Sequence, residues 1–155
     1  MIHIVLFEPE IPQNTGNVAR TCAITGSKLH LIEPLGFSLS DKYLKRAGLD
    51  YWELLQKEVH ENFDDFLKKY GDESLFFLTT KTQNNYAKIN YPKECFLVFG
   101  KETAGLPQII HDKYPDQRFK IPMIDNPNAR SLNLSNSVNI VLYEALRQND
   151  FPGML

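Results

Sequence analysis

The sequence predicts an α/β protein in which a mostly parallel sheet is flanked by helices. Short runs of β-branched and aromatic residues alternate along the 155-residue chain with segments of helical periodicity. Capping residues and glycines mark the points where most of these segments begin and end. Because 155 residues fit one compact unit with a full core, we expect a single domain over residues 1–155.

Six segments have the composition of buried strands. The first, residues 2–7, is apolar and β-branched, and the last is stopped by Pro122, which has no backbone N–H to donate to a sheet. The predicted strands are residues 2–7, 29–32, 57–60, 75–79, 95–99 and 118–121.

Five segments between or after these strands predict helices. A turn at residues 14–17 precedes the first helix, and Gly26 ends it. Ser40 or Asp41 caps the second helix, and Gly48 stops it. The predicted helices are residues 18–24, 42–47, 63–70 and 106–111, and a long final helix from residue 134.

The final helix carries an unusually wide apolar stripe. Its members fall at spacings of three and four residues, with one adjacent pair: Leu134, Val138, Val141, Leu142 and Ala145. A stripe of this width on a terminal helix suggests contact beyond its own domain, and a homodimer interface is one interpretation.

The charge balance excludes a strongly basic nucleic-acid-binding protein, because 17 basic and 19 acidic residues leave a net charge of −2. A nucleic-acid partner would have to meet a local basic patch. Lys42, Lys45 and Arg46 are candidates, since their spacing places them on one face of a helix. A solvated helix face explains the same pattern.

No metal, redox or membrane site is expected. Cys22 and Cys95 stand far apart without a CxxC motif, which favours two reduced, packed cysteines. The four histidines lack metal-binding spacing such as HExxH. The apolar run at residues 2–7 is too short for a signal peptide, so we expect a cytoplasmic protein.

A ligand pocket is expected where the predicted strands end. Thr79-Thr80, Gly100 and Pro122 stand where three predicted strands end, and ligands of parallel sheets bind at the carboxyl ends of the strands. Dinucleotide, P-loop and GxSxG motifs are absent. The reaction classes that remain depend mainly on positioning, and methyl transfer from an activated sulfonium donor is one that fits.

Three motifs resemble those of the SPOUT RNA methyltransferases. They are residues 12–20 (PQNTGNVAR), 99–107 (FGKETAGLP) and 130–136 (RSLNLSN), in the order and spacing of that family. Residues 4–12 and 46–51 resemble its TrmL/YibK branch, the tRNA (cytidine/uridine-2′-O-)-methyltransferases that act at the wobble nucleotide. The resemblance covers nearly the whole chain.

The resemblance implies a C-terminal deep trefoil knot, although chains almost always avoid knots. It also implies S-adenosyl-L-methionine as methyl donor and S-adenosyl-L-homocysteine as product. By motif, the donor contacts are Leu78, Gly100, Ile121, Ser131 and Leu132. Glycine at position 100 lets backbone approach a ligand. The three apolar residues suit an adenine, although each also fits an ordinary core.

The resemblance further implies a substrate side. Arg20 takes a catalytic role near the ribose 2′-hydroxyl, and because a guanidinium stays protonated we favour positioning over action as a base. Lys45, Arg46 and Tyr143 are the other candidate RNA contacts. A homodimer would combine these groups around one anticodon stem-loop of tRNA.

Two residue roles and two functions stay open. Glu102 either lies near the cationic donor or braces its loop. Asn133 and Asn136 either cap the last helix or bind the backbone of the knot. The alternative functions are ribose methylation of another RNA, such as rRNA, and a catalytically inactive RNA-binding module.

Overall fold

The computed structural model describes residues 1–155, with only the backbone described for residues 47–50. Six strands form one sheet in the order β3-β2-β1-β5-β4-β6, and every pair of neighbours is parallel. The predicted class, a mostly parallel sheet flanked by helices, is therefore confirmed. The strands are β1 (Ile2–Phe7), β2 (Lys28–Ile32), β3 (Lys57–His60), β4 (Leu75–Leu78), β5 (Cys95–Phe99) and β6 (Arg118–Phe119).

Helices cover both faces of this sheet. They are α1 (Pro12–Thr25), α2 (Lys42–Trp52), α3 (Phe63–Tyr70), α4 (Gln108–Lys113) and α5 (Leu134–Gln148), with one 3₁₀ turn at Tyr86–Lys88. Helices α1 and α5 pack on one face, and α2 packs against α1 from outside. Helices α3 and α4 contribute to the core on the other face.

The core is divided by the sheet because alternate residues of each strand point to opposite faces. In β1, Ile4 and Leu6 join the cluster formed with α1 and α5, whereas Val5 and Phe7 join the aromatic cluster with α3 and α4. All six residues of β1 are buried. A parallel sheet covered on both faces explains why its strands are continuous apolar runs rather than alternating ones.

Helix α1 begins earlier than predicted. It starts at Pro12, so the prediction of a turn at residues 14–17 was wrong, and Asn14, Thr15 and Gly16 are buried within the helix. Proline suits the first turn because its missing N–H has no partner there. At the other end, Gly26 has a φ of 71° and closes the helix, as predicted.

Helix α2 ends later than predicted. The Asp41 carboxylate accepts a hydrogen bond from the Tyr43 N–H and caps the helix, as predicted. The helix continues to Trp52, so the predicted stop at Gly48 was wrong. Its packing against α1, in which Leu44 is buried, outweighs the roughly 1 kcal/mol that glycine costs inside a helix.

Other element boundaries differ by a few residues from those predicted. Helix α4 begins at Gln108 with Pro107 as its N-cap, and β4 ends one residue early at Leu78. Strand β6 is only two residues long, and a single bridge from Asn85 to Lys120 extends its pairing. It is an edge strand whose one neighbour is β4, so little pairing holds its end in place.

The apolar stripe of α5 is largely used inside the protein. Val138, Val141, Leu142 and Ala145 are fully buried against the sheet and α1. Both cysteines are buried and free, as predicted, and burial raises the pKa of the Cys95 thiol to about 12. Among the helices the structure describes, none has the length and apolar character needed to cross a membrane.

Candidate active site

A pocket of about 690 Å³ opens at the carboxyl edge of the sheet. Its walls come from the end of β4, the loop between β5 and α4, and the two segments at residues 121–123 and 129–134. The five predicted donor residues all line it: Leu78, Gly100, Ile121, Ser131 and Leu132. A concave site of this size at strand ends fits a small molecule.

The apolar side of the pocket is continuous with the core. Leu78 is 8% exposed and belongs to the core cluster, and Ile121 is half-buried against the same cluster. Leu132 is 39% exposed and is not a core residue. Leu78 and Ile121 therefore pack in the core and line the pocket at the same time, whereas the more exposed side chain of Leu132 is available to cover a ligand.

Gly100 is glycine for a reason that the sequence did not suggest. A Cβ at this position would lie 2.3 Å from the carbonyl carbon of Gly105, because the loop folds back on itself. The Gly105 N–H donates to the Lys101 carbonyl at 2.9 Å, and Gly105 has a φ of 67°. Glycines at both positions are needed to form the loop, before any ligand is considered.

Glu102 braces this loop against the start of α1, which confirms one of its two predicted roles. Its carboxylate accepts the backbone N–H groups of Glu10 at 3.0 Å and Ile11 at 2.6 Å, and the Asn14 amide at 3.4 Å. Helix α1 has no side-chain cap of its own. Glu102 thus supplies, from another loop, the negative group that a helix N-terminus favours.

Further contacts fasten the same two loops, and we call the whole set the loop clasp. The Glu10 carboxylate accepts hydrogen bonds from the Thr103 N–H at 3.1 Å and its hydroxyl at 2.7 Å. These bonds lower the pKa of Glu10. Lys101 pairs with Glu8 at 3.3 Å. The loop clasp consists of Glu8, Glu10, Ile11, Asn14, Lys101, Glu102 and Thr103.

Asn133 joins the clasp to the last helix. Its side-chain oxygen accepts the N–H groups of Ser135 at 2.9 Å and Asn136 at 3.3 Å, so it is the N-cap of α5, as predicted. Its amide donates to the Asn14 side chain at 3.0 Å. The three segments with recognisable motifs therefore meet in one hydrogen-bonded network beside the pocket.

Arg20 lies outside the pocket. It is exposed on α1, and its guanidinium carbon is 5.2 Å from the centre of the Tyr51 ring on α2, a cation–π arrangement. Lys45 and Arg46 are also exposed on α2, which packs against α1. The structure thus groups three of the four predicted RNA contacts on neighbouring helices, whereas the exposed Tyr143 lies on α5.

Sequence reasoning missed several polar residues of the pocket. Lys81, Lys101, His111 and Arg130 line it, and Glu102, the one acidic residue of the lining, is turned to the backbone. Burial, with the nearby charges of Arg118 and Lys81, lowers the pKa of His111. Lys81 could have been identified from the sequence, because it directly follows Thr79-Thr80, where a predicted strand ends.

Fold and pocket together define a class of protein, the α/β proteins that bind a ligand at the carboxyl edge of a parallel sheet. A family model described as the SpoU rRNA Methylase family matches residues 1–143, and the chain belongs to that family. It is also similar to the tRNA (cytidine(34)-2'-O)-methyltransferase of Methylovorus glucosotrophus (strain SIP3-4), with 52% identity over 154 residues, covering 99% of each chain.

Two solved structures extend this likeness. One comes from work described as "Structural insights into the 2-OH methylation of C/U34 on tRNA"; it is 43% identical with a TM-score of 0.90, and the match covers 97% of both chains. The other is an AdoMet-bound rRNA methyltransferase from Sinorhizobium meliloti. It is 25% identical with a TM-score of 0.82, and the match covers 94% of this chain but 56% of that one.

Proposed function

We propose that this protein transfers the methyl group of S-adenosyl-L-methionine to the ribose 2′-oxygen of nucleotide 34, a cytidine or uridine, in tRNA. The observation that carries the proposal is the pocket at the carboxyl edge, which is lined by all five residues expected from the motifs. The name of the 52% identical Methylovorus protein supports the substrate and the position.

The pocket fits the donor in shape and chemistry. Leu78, Ile121 and Leu132 form an apolar wall suited to an adenine, and the folded loop from Gly100 offers backbone groups close by. The Sinorhizobium meliloti relative is AdoMet-bound. When bound, S-adenosyl-L-methionine supplies a methyl group activated by its sulfonium, and S-adenosyl-L-homocysteine is the product.

The protein residues then act mainly by positioning. Arg20 orients the ribose or a neighbouring phosphate, because a guanidinium binds oxyanions in a fixed geometry. Lys45 and Arg46 neutralise phosphates of the anticodon stem-loop, and Tyr143 offers a ring for stacking or a hydroxyl. Metal ligands are not part of this proposed transfer step.

The proposal includes a homodimer. Arg20 does not line the pocket of its own chain, so a second copy would have to help bring the donor and substrate sides together. Ile24, Ile140 and Tyr143 are exposed apolar side chains on α1 and α5. These helices are joined by a 2.8 Å hydrogen bond from Thr21 to Asn139, and all three residues lie within about a turn of it.

It also includes a single cytoplasmic domain over residues 1–155 whose C-terminal part forms the deep trefoil knot. The chain leaves β6 at one edge of the sheet, passes through the pocket wall at residues 129–134 and returns with α5 to the central strands β1 and β5. This return across the pocket supports the knot.

The main alternative is a ribose methyltransferase for another RNA, since the family name and the Sinorhizobium meliloti relative both refer to rRNA. That relative is considerably longer than this chain, whereas the Methylovorus tRNA enzyme is matched over 99% of its length. The second alternative, an inactive RNA-binding module, is disfavoured by the complete donor pocket.

The test is transfer of labelled methyl from S-adenosyl-L-methionine to total tRNA and, separately, to rRNA, followed by nucleoside mapping. The expected product is a 2′-O-methylated cytidine or uridine at position 34 of tRNA. Label in rRNA alone would support the first alternative. Donor binding without methyl transfer to either RNA would support the second alternative, the inactive RNA-binding module. A methyl group on a base rather than on a ribose would contradict the main proposal and both alternatives.

A further inference from the structure

Three histidines that stand far apart in the sequence form one hydrogen-bonded row in the core, on the sheet face covered by α3. His3 Nδ1 lies 2.9 Å from His30 Nε2, and His30 Nδ1 lies 3.0 Å from His60 Nε2. The three residues belong to the neighbouring strands β1, β2 and β3, and all are buried. Sequence spacing could not reveal the row because each strand contributes a single histidine.

One end of this row has the donor atoms of a metal site. The ligand atoms of His30, Glu58 and His60 all lie within 4.8 Å of one another. His30 Nδ1 is 3.0 Å from His60 Nε2 and 3.8 Å from the Glu58 carboxylate. Donors around a tetrahedral Zn²⁺ are about 3.3 Å apart, given bond lengths near 2.0–2.1 Å, so these separations lie on either side of the required value.

We propose that His30, His60 and Glu58 bind a divalent transition-metal ion of the Zn²⁺ type at the β2–β3 edge of the sheet. Two imidazoles and one carboxylate favour Zn²⁺, Co²⁺ or Ni²⁺ over Mg²⁺ or Ca²⁺, which prefer oxygen ligands. The carboxylate is part-exposed, so a water can complete the coordination. This inference does not depend on the proposed methyl transfer.

The groups around His30 already hold it in the form that a metal needs. The Glu94 carboxylate accepts a hydrogen bond from His3 Nε2 at 2.6 Å, which leaves a lone pair on His3 Nδ1. His30 Nε2–H then donates to His3, and His30 Nδ1 carries a lone pair directed at His60. A ligating histidine commonly donates its second ring N–H to an outer-shell acceptor that fixes its tautomer, and here His3 is that acceptor.

The same histidine tautomers determine which proton has to move when a metal ion binds. Without a metal, His60 Nε2–H donates to His30 Nδ1. A metal ion at His60 Nε2 requires the other neutral tautomer of that ring, so the proton moves to Nδ1, binding releases no net proton from the imidazoles, and both nitrogens become ligands.

Lys28 competes with the metal for the carboxylate. Its ammonium lies 3.0 Å from Glu58 Oε2, the Tyr70 hydroxyl donates to the same oxygen at 2.6 Å, and Lys69 pairs with Oε1. Both lysine side chains are at least partly exposed and can turn to solvent. Removing Lys28 is therefore expected to strengthen metal binding, because a cation is taken away from the site without loss of a ligand.

The experiment titrates Co²⁺ and then Zn²⁺ into the untagged full chain, with visible absorption and calorimetry as readouts. We expect one Co²⁺ per chain, absorption bands of a four- or five-coordinate site, and loss of those bands on adding Zn²⁺. His60→Gln and Glu58→Gln should weaken binding about tenfold or more, whereas His111→Gln, outside the row, should not change it.

Lys28→Met keeps the proposal testable if the histidine variants fail to fold, since it should raise the affinity several-fold. Saturable binding that depends on His60 and Glu58, or an affinity raised by Lys28→Met, would support the site. Absence of 1:1 binding, or binding indifferent to all three changes, would overturn it and leave the row as a purely structural hydrogen-bonded chain.

Discussion

Single residues of the pocket serve structural and binding roles together. Leu78 is a core residue that also forms the pocket wall, and Gly100 permits the fold of a loop before it meets any ligand. Substitution at such positions changes the pocket through its scaffold. Arg20 differs, because it is exposed on α1 and contacts Tyr51 rather than the pocket.

Gly100→Ala should destabilise the protein by about 1–3 kcal/mol, because the new Cβ would overlap the Gly105 backbone and force the loop apart. Donor affinity should fall with it, measured by calorimetry with S-adenosyl-L-homocysteine. Ala87→Ser, an exposed change outside the pocket, is the control and should leave both quantities near their original values. An unchanged melting temperature in Gly100→Ala would contradict the described loop geometry.

Arg20→Ala should lower methyl transfer about a hundredfold or more while donor affinity stays within about twofold, since the residue lies outside the pocket and is proposed to position the RNA. Arg20→Lys should recover little activity, because an ammonium lacks the planar guanidinium geometry. Single-turnover rates and calorimetry separate the two effects. A large loss of donor affinity would show that Arg20 belongs to the donor site instead.

At the scale of elements, loops from distant parts of the chain complete the helices. Helix α1 starts without a side-chain cap, and Glu102, 91 residues after Ile11, accepts the N–H groups of Glu10 and Ile11 just before the helix. The cap of α5, Asn133, is in turn hydrogen-bonded to Asn14 within α1. The loop clasp therefore determines where α1 begins, and with it the position of Arg20.

Glu102→Gln should cost about 1 kcal/mol of stability, because the amide offers one weaker acceptor where the carboxylate offered two. It should also lower donor affinity and transfer together, since the clasp holds both the loop and α1. Glu61→Gln, on an exposed carboxylate away from the clasp, is the control for loss of charge. Loss of transfer with full stability and full donor affinity would instead place Glu102 at the reacting groups.

The elements that sequence could predict are those whose signals are local. Residues 2–7 and 95–99 were placed to the residue because strands buried on both faces are unbroken apolar runs. The start of α1 was missed because its cap comes from Glu102 in another loop. The pocket residues came from motif resemblance, and the histidine row was missed because its members meet only across three strands.

At the scale of the whole molecule, one parallel sheet separates two surfaces. The α1/α2/α5 side carries the candidate RNA contacts and the exposed apolar residues Ile24, Ile140 and Tyr143. The α3/α4 side covers the aromatic core and the histidine row. Dimerisation through the first side would leave the second free.

We expect a dimer at micromolar concentration by light scattering, and Ile140→Asp together with Ile24→Asp should shift it to monomer, because two buried carboxylates would face an apolar interface. The rate of methyl transfer should fall as the fraction of dimer falls. The control, Ile109→Asp, introduces a charge at an exposed apolar residue on α4, on the other side of the sheet. A monomeric parent protein with full activity would remove the need for a second copy.

Under the proposed function, the loop clasp links the binding of the donor to the binding of RNA. Glu102 and its partners hold the donor loop and the start of the Arg20 helix in one network, so a donor that orders the loop also orders the helix. Because coupling between two binding sites is reciprocal, RNA bound at that helix must raise the affinity for the donor by the same factor by which the donor raises the affinity for RNA. Affinities measured for each ligand alone would understate those of the ternary complex, and cutting the clasp would make the two bindings independent.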